Sequence, residues 1–234
     1  MALVHGQTLV APRERDPAAR IPGQHARSIV LRLRMRTIVA LGVLAVVTSA
    51  CGRAFGLHSP LFVGAELALL VSMFCVSRFV LPLVERHDRG ARGEEHVGSL
   101  LDQLEQEGWR VIHDASFGRG NIDHIALGPA GAFTVETKSH PGPVHVRAIH
   151  GAVLRQAQEE RETLERALGA PVEALLVYSR AWVDRPLSRR RGVRVLPARM
   201  LLSYLRRRSA ALSAEQVAQA RARVVSALGE SAER

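Results

Sequence analysis

Three residues in the middle of the chain have types and spacing that could do chemistry: Asp123, Glu136 and Lys138. On a β-strand side chains alternate, so Glu136 and Lys138 share one face, with Cα atoms roughly 6.5 Å apart, while Phe133, Val135 and Thr137 point the other way. Asp123 joins them if residues 121–127 and 132–138 pair as a hairpin through Gly128-Pro129-Ala130-Gly131, which sets Asp123 beside Glu136. Two carboxylates and one ammonium at a strand edge suit hydrolysis of a phosphodiester. A hard divalent cation such as Mg²⁺ or Mn²⁺ prefers carboxylate oxygens. It can polarise a phosphoryl group and acidify an attacking water, and a lysine can position that water or stabilise the developing charge. A Glu-x-Lys run alone is commonly no more than a solvated pair. Here, however, Lys138 is the single lysine among 32 Lys and Arg residues. Arginine cannot supply a compact ammonium with a tunable pKa, so this position calls for lysine chemistry.

The elements that must position these residues are legible from 85 onward. Val97, Leu100, Leu101 and Leu104 recur at helical spacing and predict an amphipathic helix over 92–107, ended by Gly108. Strand-like runs follow at 109–115, 121–127 and 132–138. A helix is expected at 152–168 and an apolar strand at 172–178, with another short strand at 193–196. Helices at 198–208 and 214–228 close the chain, the last with Ser213 and Gln216 as a capping box. Helix, three strands, helix, strand is the order of an α/β domain with a mixed sheet.

The first 36 residues read as a disordered basic arm, being rich in Arg, Pro and Gly with no sustained apolar period. Two apolar blocks follow, at about 37–57 and 60–84, and predict a transmembrane hairpin; Glu66 and Arg78 sit near the ends of the second, within reach of the interface. Met35–Cys51 also has the layout of a lipoprotein signal, although Thr48 stands where an aliphatic residue is usual. Arg13, Arg15, Arg20, Arg27, Arg32, Arg34 and Arg36 precede the first block, Arg86, Arg89 and Arg92 follow the second, and only Arg53 lies between. That asymmetry puts both termini in the cytoplasm. The two cysteines, Cys51 and Cys75, lie within the apolar blocks, so residues 85–234 have no disulfide framework or cysteine-based zinc site.

Gly90-Ala91-Arg92-Gly93-Glu94, Gly120-Asn121-Ile122-Asp123-His124-Ile125 and Gly131-Ala132-Phe133-Thr134-Val135-Glu136-Thr137-Lys138 together resemble the nuclease-related domain, NERD, a family of the PD-(D/E)XK nuclease superfamily. The resemblance spans about 88–180 and leaves 181–234 as a basic C-terminal extension. It implies a restriction-endonuclease-like mixed sheet flanked by helices. It also implies Asp123 and Glu136 as metal ligands, Lys138 as catalytic lysine, and Glu94 as an outer or additional ligand, with Glu95 as an alternative that spacing leaves open. Gln156 matches a glutamine on the helix after the core strands, placed to contact substrate or the lysine. His124 points to the opposite face from Asp123 and is read as structural. Ile122 stands where the wider superfamily often has proline, as is common in this family.

The net charge of +10 suits a polyanion or an anionic membrane face. The clusters Arg189-Arg190-Arg191 and Arg206-Arg207-Arg208 could grip phosphates, face lipid or be solvated. The expected function is a membrane-anchored, metal-dependent nuclease acting on DNA or RNA at the cytoplasmic face. The alternative is a non-catalytic nucleic-acid-binding or sensing module with the same fold. The arginine asymmetry carries a test: a reporter fused after Arg234 should behave as cytoplasmic, and an active periplasmic reporter there would invert the topology.

Overall fold

The structure, a computed structural model, describes residues 22–117 and 120–232. Helix α1 (Gln24–Phe55) and helix α2 (Pro60–Cys75) form an antiparallel pair joined by a tight turn, with Ser59 capping α2 by accepting from the Phe62 N–H at 3.2 Å. A π-type turn (Val76–Val80) then leads straight into α3 (Leu81–Asp102). Pro82 explains the turn. It has no N–H to give the preceding turn, and a local widening accommodates its ring without breaking the helix.

After a 3₁₀ turn come β1 (Arg110–Ser116), β2 (Asn121–Gly128) and β3 (Gly131–Lys138). The short strand β4 (Pro143–Val144) precedes α4 (Gly151–Leu168) and β5 (Val172–Tyr178). Next are β6 (Trp182–Val183), β7 (Ser188–Arg190) and β8 (Val193–Pro197), then α5 (Leu201–Arg206) and α6 (Ala214–Ala232). Six strands make one mixed sheet in the order β1-β2-β3-β5-β8-β7, while β4 and β6 pair separately. β1, β2 and β3 are antiparallel neighbours; β3, β5 and β8 run parallel, with α4 as the crossover between the first two. This is the expected α/β architecture, a mixed sheet flanked by helices and preceded by two long apolar helices.

Alternation along the strands sorts residues onto two buried faces. Phe133, Val135, Leu175 and Val177 pack against Val97 and Leu101 of α3 and Leu201 of α5. On the other face Ala174 and Leu176 meet Leu154 and Ala157 of α4, while Ile125 and Leu127 meet Leu164 of α4 and Val224 of α6. Each large apolar side chain so removed from water contributes about 1.5–3 kcal/mol. At the hairpin's tight end, Trp109 lies over Gly128 so closely that a Cβ there would sit 2.1 Å from the ring, which fixes the register of the three strands.

Two expectations change. Residues 24–36 are helical instead of belonging to an irregular arm, because the apolar pattern of α1 extends back through Leu33, Leu31 and Val30; residues 1–21 of that arm lie outside the described residues. The helix expected at 92–107 does not start there either. It continues without interruption from Leu81. The start of α1 packs alongside α3, with Arg27 ion-paired to Glu95.

α1 and the helix running from Pro60 are long and apolar enough to cross a membrane, and are candidate spans. Their large side chains point outward, with Ile38 64%, Leu67 61% and Phe74 65% exposed. A core helix of a water-soluble domain would hide such residues. Thr48 is buried between them and donates to the Leu44 carbonyl at 2.9 Å and to the Ala65 carbonyl at 3.4 Å, a polar tie from α1 to α2.

Candidate active site

Strands β2 and β3 pair from Gly128↔Gly131 to His124↔Val135, and their ladder ends there. One residue further on, the Asp123 carboxylate accepts the Thr137 backbone N–H at 2.8 Å. A side chain stands where a strand carbonyl would otherwise be, so the two strands part into a fork. Glu136 and Lys138 line the α4 side of that fork. The Lys138 ammonium donates to Oε1 of Glu136 and, at 3.3 Å, to Oε1 of Gln156 on α4. Gln156 in turn donates to Oε1 of Glu160 at 3.0 Å, and the Glu160 carboxyl lies against that of Glu136.

Glu94 reaches the fork from α3. Gly93 makes this possible: a Cβ there would come within 2.8 Å of the Ser179 hydroxyl and 3.0 Å of Ser139, the residues just past β5 and β3. Without a side chain at 93, α3 can lie across the strand ends and bring Glu94 into the field of Glu136, Asp114 and Lys138. Glu95, the alternative at the next position, is ion-paired with Arg27.

The expected residues Asp123, Glu136, Lys138, Glu94 and Gln156 therefore meet at one place. Two further carboxylates were missed. Asp114 of β1 is buried with a left-handed backbone (φ 52°), accepts from the Asn121 amide, and adds its charge to the field at Glu94. A non-glycine residue held there is strained, a feature that clusters at functional sites. Glu160 occupies a buried position in the stripe Leu154, Ala157, Glu160, Leu164 and Leu168. A carboxylate inside an apolar helical stripe was the signal available in the sequence.

Crowding governs the protonation states. Burial raises Asp123 well above the usual carboxylate range; Glu136 and Glu94 raise it further, against the Thr137 N–H and Lys138. Burial, then Glu136 and Asp114, push Glu94 to about 7. Burial and Glu136 push Glu160 up to about 10. For Lys138 burial works to lower the pKa, but Glu136, Asp123 and Glu160 outweigh it and hold the ammonium protonated.

The opposite face of β2 carries a second polar array. His124 is fully buried, and its Nδ1 lies 2.8 Å from Nδ1 of His113, whose Nε2 is 2.8 Å from Asp102. Burial, then His113, push the His124 pKa down to about 3, so it stays neutral and serves packing beneath α3.

Does this donor set fit a divalent cation? The chemistry matches: every acid is a hard oxygen donor, and Oε2 of Glu136 is buried with no hydrogen-bond partner. The carboxylates are engaged with Thr137, Lys138 and Gln156, and among the described residues no three His, Cys, Asp or Glu side chains are already drawn together as ligands. Asp123, Glu136 and Glu94 are the acids that could hold the ion. Beside them opens a cleft of about 680 Å³, lined by Phe117, Asn121, Gln156, Glu160, Arg166 and Glu230 among others.

The basic clusters are largely occupied within the fold. Arg189 and Arg208 pair with Glu173 at 2.9 and 3.2 Å, Arg206 pairs with Glu107 at 2.7 Å, and Arg190 donates to the carbonyls of Val146 and Ile149. These four arginines tie β7 and the C-terminal segment to the domain.

Residues 89–180 match the model of the nuclease-related domain family, NERD, and this chain carries that domain there. The match includes Glu94, Asp123, Glu136, Lys138, Gln156 and Glu160. No curated protein and no solved structure matches the chain.

The raised carboxyl pKa values make a prediction for the protein in chelator. A carboxyl group whose pKa is higher folded than unfolded holds extra protons in the folded state. Its contribution is therefore present at low pH and lost as pH rises from about 4.5 towards the folded value. With Glu94 near 7 and Glu160 near 10, the melting temperature should fall steadily between pH 5 and pH 8. Glu94 alone accounts for no more than about 3 kcal/mol of this. A melting temperature that rises over the same interval would show that the cluster is not repulsive.

Proposed function

We propose that the nuclease-related domain is a metal-dependent phosphodiesterase acting on DNA or RNA, held at the cytoplasmic face of a membrane by α1 and α2. The observation that carries this reading is the convergence at the β2–β3 fork of Asp123, Glu136 and Lys138, the one lysine in the chain. A binding module has no use for such a cluster, because buried carboxylates beside a polyanion repel it unless a cation intervenes.

Asp123, Glu136 and Glu94 would hold the cation, Mg²⁺ or Mn²⁺. When bound it would polarise a phosphoryl oxygen and acidify a water. The remaining work falls to the chain. The Thr137 N–H fixes the rotamer of Asp123, and Gly93 sets how near Glu94 can come. Lys138 keeps its proton and is steadied by Glu136 and Gln156, so it presents a fixed positive charge to a phosphate entering by the adjoining cleft. Charge building on the phosphate in the transition state would meet a donor already in place. The order of arginines along the chain supports the cytoplasmic placement, where nucleic acid is available.

Purified full-length chain in detergent should cleave nucleic acid with Mg²⁺ or Mn²⁺ and not with chelator. Asp123→Asn or Glu136→Gln should remove nearly all cleavage and leave the fold intact. Lys138→Arg is the sharper variant: it keeps the charge but not the compact ammonium, and should lower the rate on the order of 100-fold or more. Near-wild-type cleavage by Lys138→Arg would take the lysine out of the mechanism. Cleavage that survives Asp123→Asn would place the chemistry elsewhere.

A further inference from the structure

We infer that Glu160 is a further cation ligand, sharing with Glu136 a divalent-metal position on the α4 side of the fork. The inference rests on the metal-dependent reading above and adds a donor from a different element.

Glu136 is 1% exposed and Glu160 7% exposed, and their carboxyl groups lie against each other. Each has one oxygen accounted for: Oε1 of Glu136 by Lys138, Oε1 of Glu160 by Gln156. The other oxygen of each, Oε2, is buried and meets no donor. Carboxylate oxygens only accept, so two neighbouring buried carboxyl groups, each with an oxygen that meets no donor, are unfavourable as they stand. Either a proton or a cation must lie between the two groups. Lys138 and Gln156 serve Oε1 of Glu136 and of Glu160 and leave Oε2 of each without a partner.

The local sequence gives the geometry. Gln156 and Glu160 are one helical turn apart and so lie on one face of α4. The stripe that continues through Leu164 and Leu168 packs on the sheet, so Glu160 cannot turn out to solvent without pulling the helix away. A structural role gains nothing from a charge there, whereas leucine would continue the stripe. A divalent ion bridging Glu136 and Glu160 uses both idle oxygens, and the cleft lined by Gln156 and Glu160 opens beside it for the ion's remaining water or phosphate ligands.

Mn²⁺ binding to the full-length chain in detergent, followed by calorimetry and by the Mn²⁺-induced rise in melting temperature, tests this without any substrate. Glu160→Gln keeps the shape and the Gln156 contact but removes the charge. It should weaken Mn²⁺ binding at least tenfold or remove one equivalent, and shrink the thermal shift. Its melting temperature in chelator should be no lower than wild type, since a repulsive pair has been relieved, and that measurement separates lost ligation from lost folding. If Gln at 160 binds Mn²⁺ with wild-type affinity and stoichiometry, the two carboxyls share only a proton and the proposal is overturned. Failure of the nuclease reading looks different: the wild type would bind Mn²⁺ through Glu160 yet cut no nucleic acid.

Discussion

Negative charge concentrated at the β2–β3 fork is the constraint around which this domain is arranged. Glu94, Asp123, Glu136 and Glu160 come from four elements; burial and the nearby Glu136 raise the pKa of Asp123, Glu94 and Glu160, while Lys138 is the one ammonium among them. Such a cluster opposes folding, and the hydrophobic faces on either side of the sheet must outweigh it. Phe133 and Val135 anchor β3 beneath α3, and Leu176 anchors β5 beneath α4. The alternate residues Glu136 and Lys138 are thereby held on the face where α4 brings Gln156 and Glu160. A fold that tolerates this repulsion makes sense if a cation relieves it when present.

Helix α3 joins the two halves of the molecule. Its first turns continue the second apolar helix through a π-type turn, its middle carries Glu94, and its last turns fill the core with Val97 and Leu101. Arg27 of α1 grips Glu95, the neighbour of Glu94. The apolar hairpin is therefore braced against the same helix that supplies a carboxylate to the fork.

Much of this could be read in the residues, for identifiable reasons. Gly128-Pro129-Ala130-Gly131 can only turn, so the hairpin and the pairing of Asp123 with the Glu136 strand followed from local chemistry. The helix at α4 and the strand at β5 announced themselves by period. What escaped depends on contacts distant in sequence. Spacing could not separate Glu94 from Glu95, whose surroundings differ through an ion pair of Glu95 with Arg27 of a distant helix. Glu160 stands among other acids along α4, and its burial is set by the sheet beneath it. The ion pairs of Arg189 and Arg208 with Glu173 and of Arg206 with Glu107 join residues far apart in the chain and were not legible either. β4, β6 and β7 have two or three residues each, too few to show alternation. The helical start of α1 was hidden because arginines interrupt its apolar pattern.

At the fork Asp123 and Glu136 would share a divalent cation. Anomalous diffraction from crystals of the chain grown with Mn²⁺ would locate it. A manganese peak within about 2.1–2.3 Å of carboxylate oxygens of both Asp123 and Glu136, with Lys138 close by, is expected. Manganese bound only elsewhere, with the Asp123 and Glu136 carboxylates still engaged by Thr137 and Lys138 alone, would contradict it.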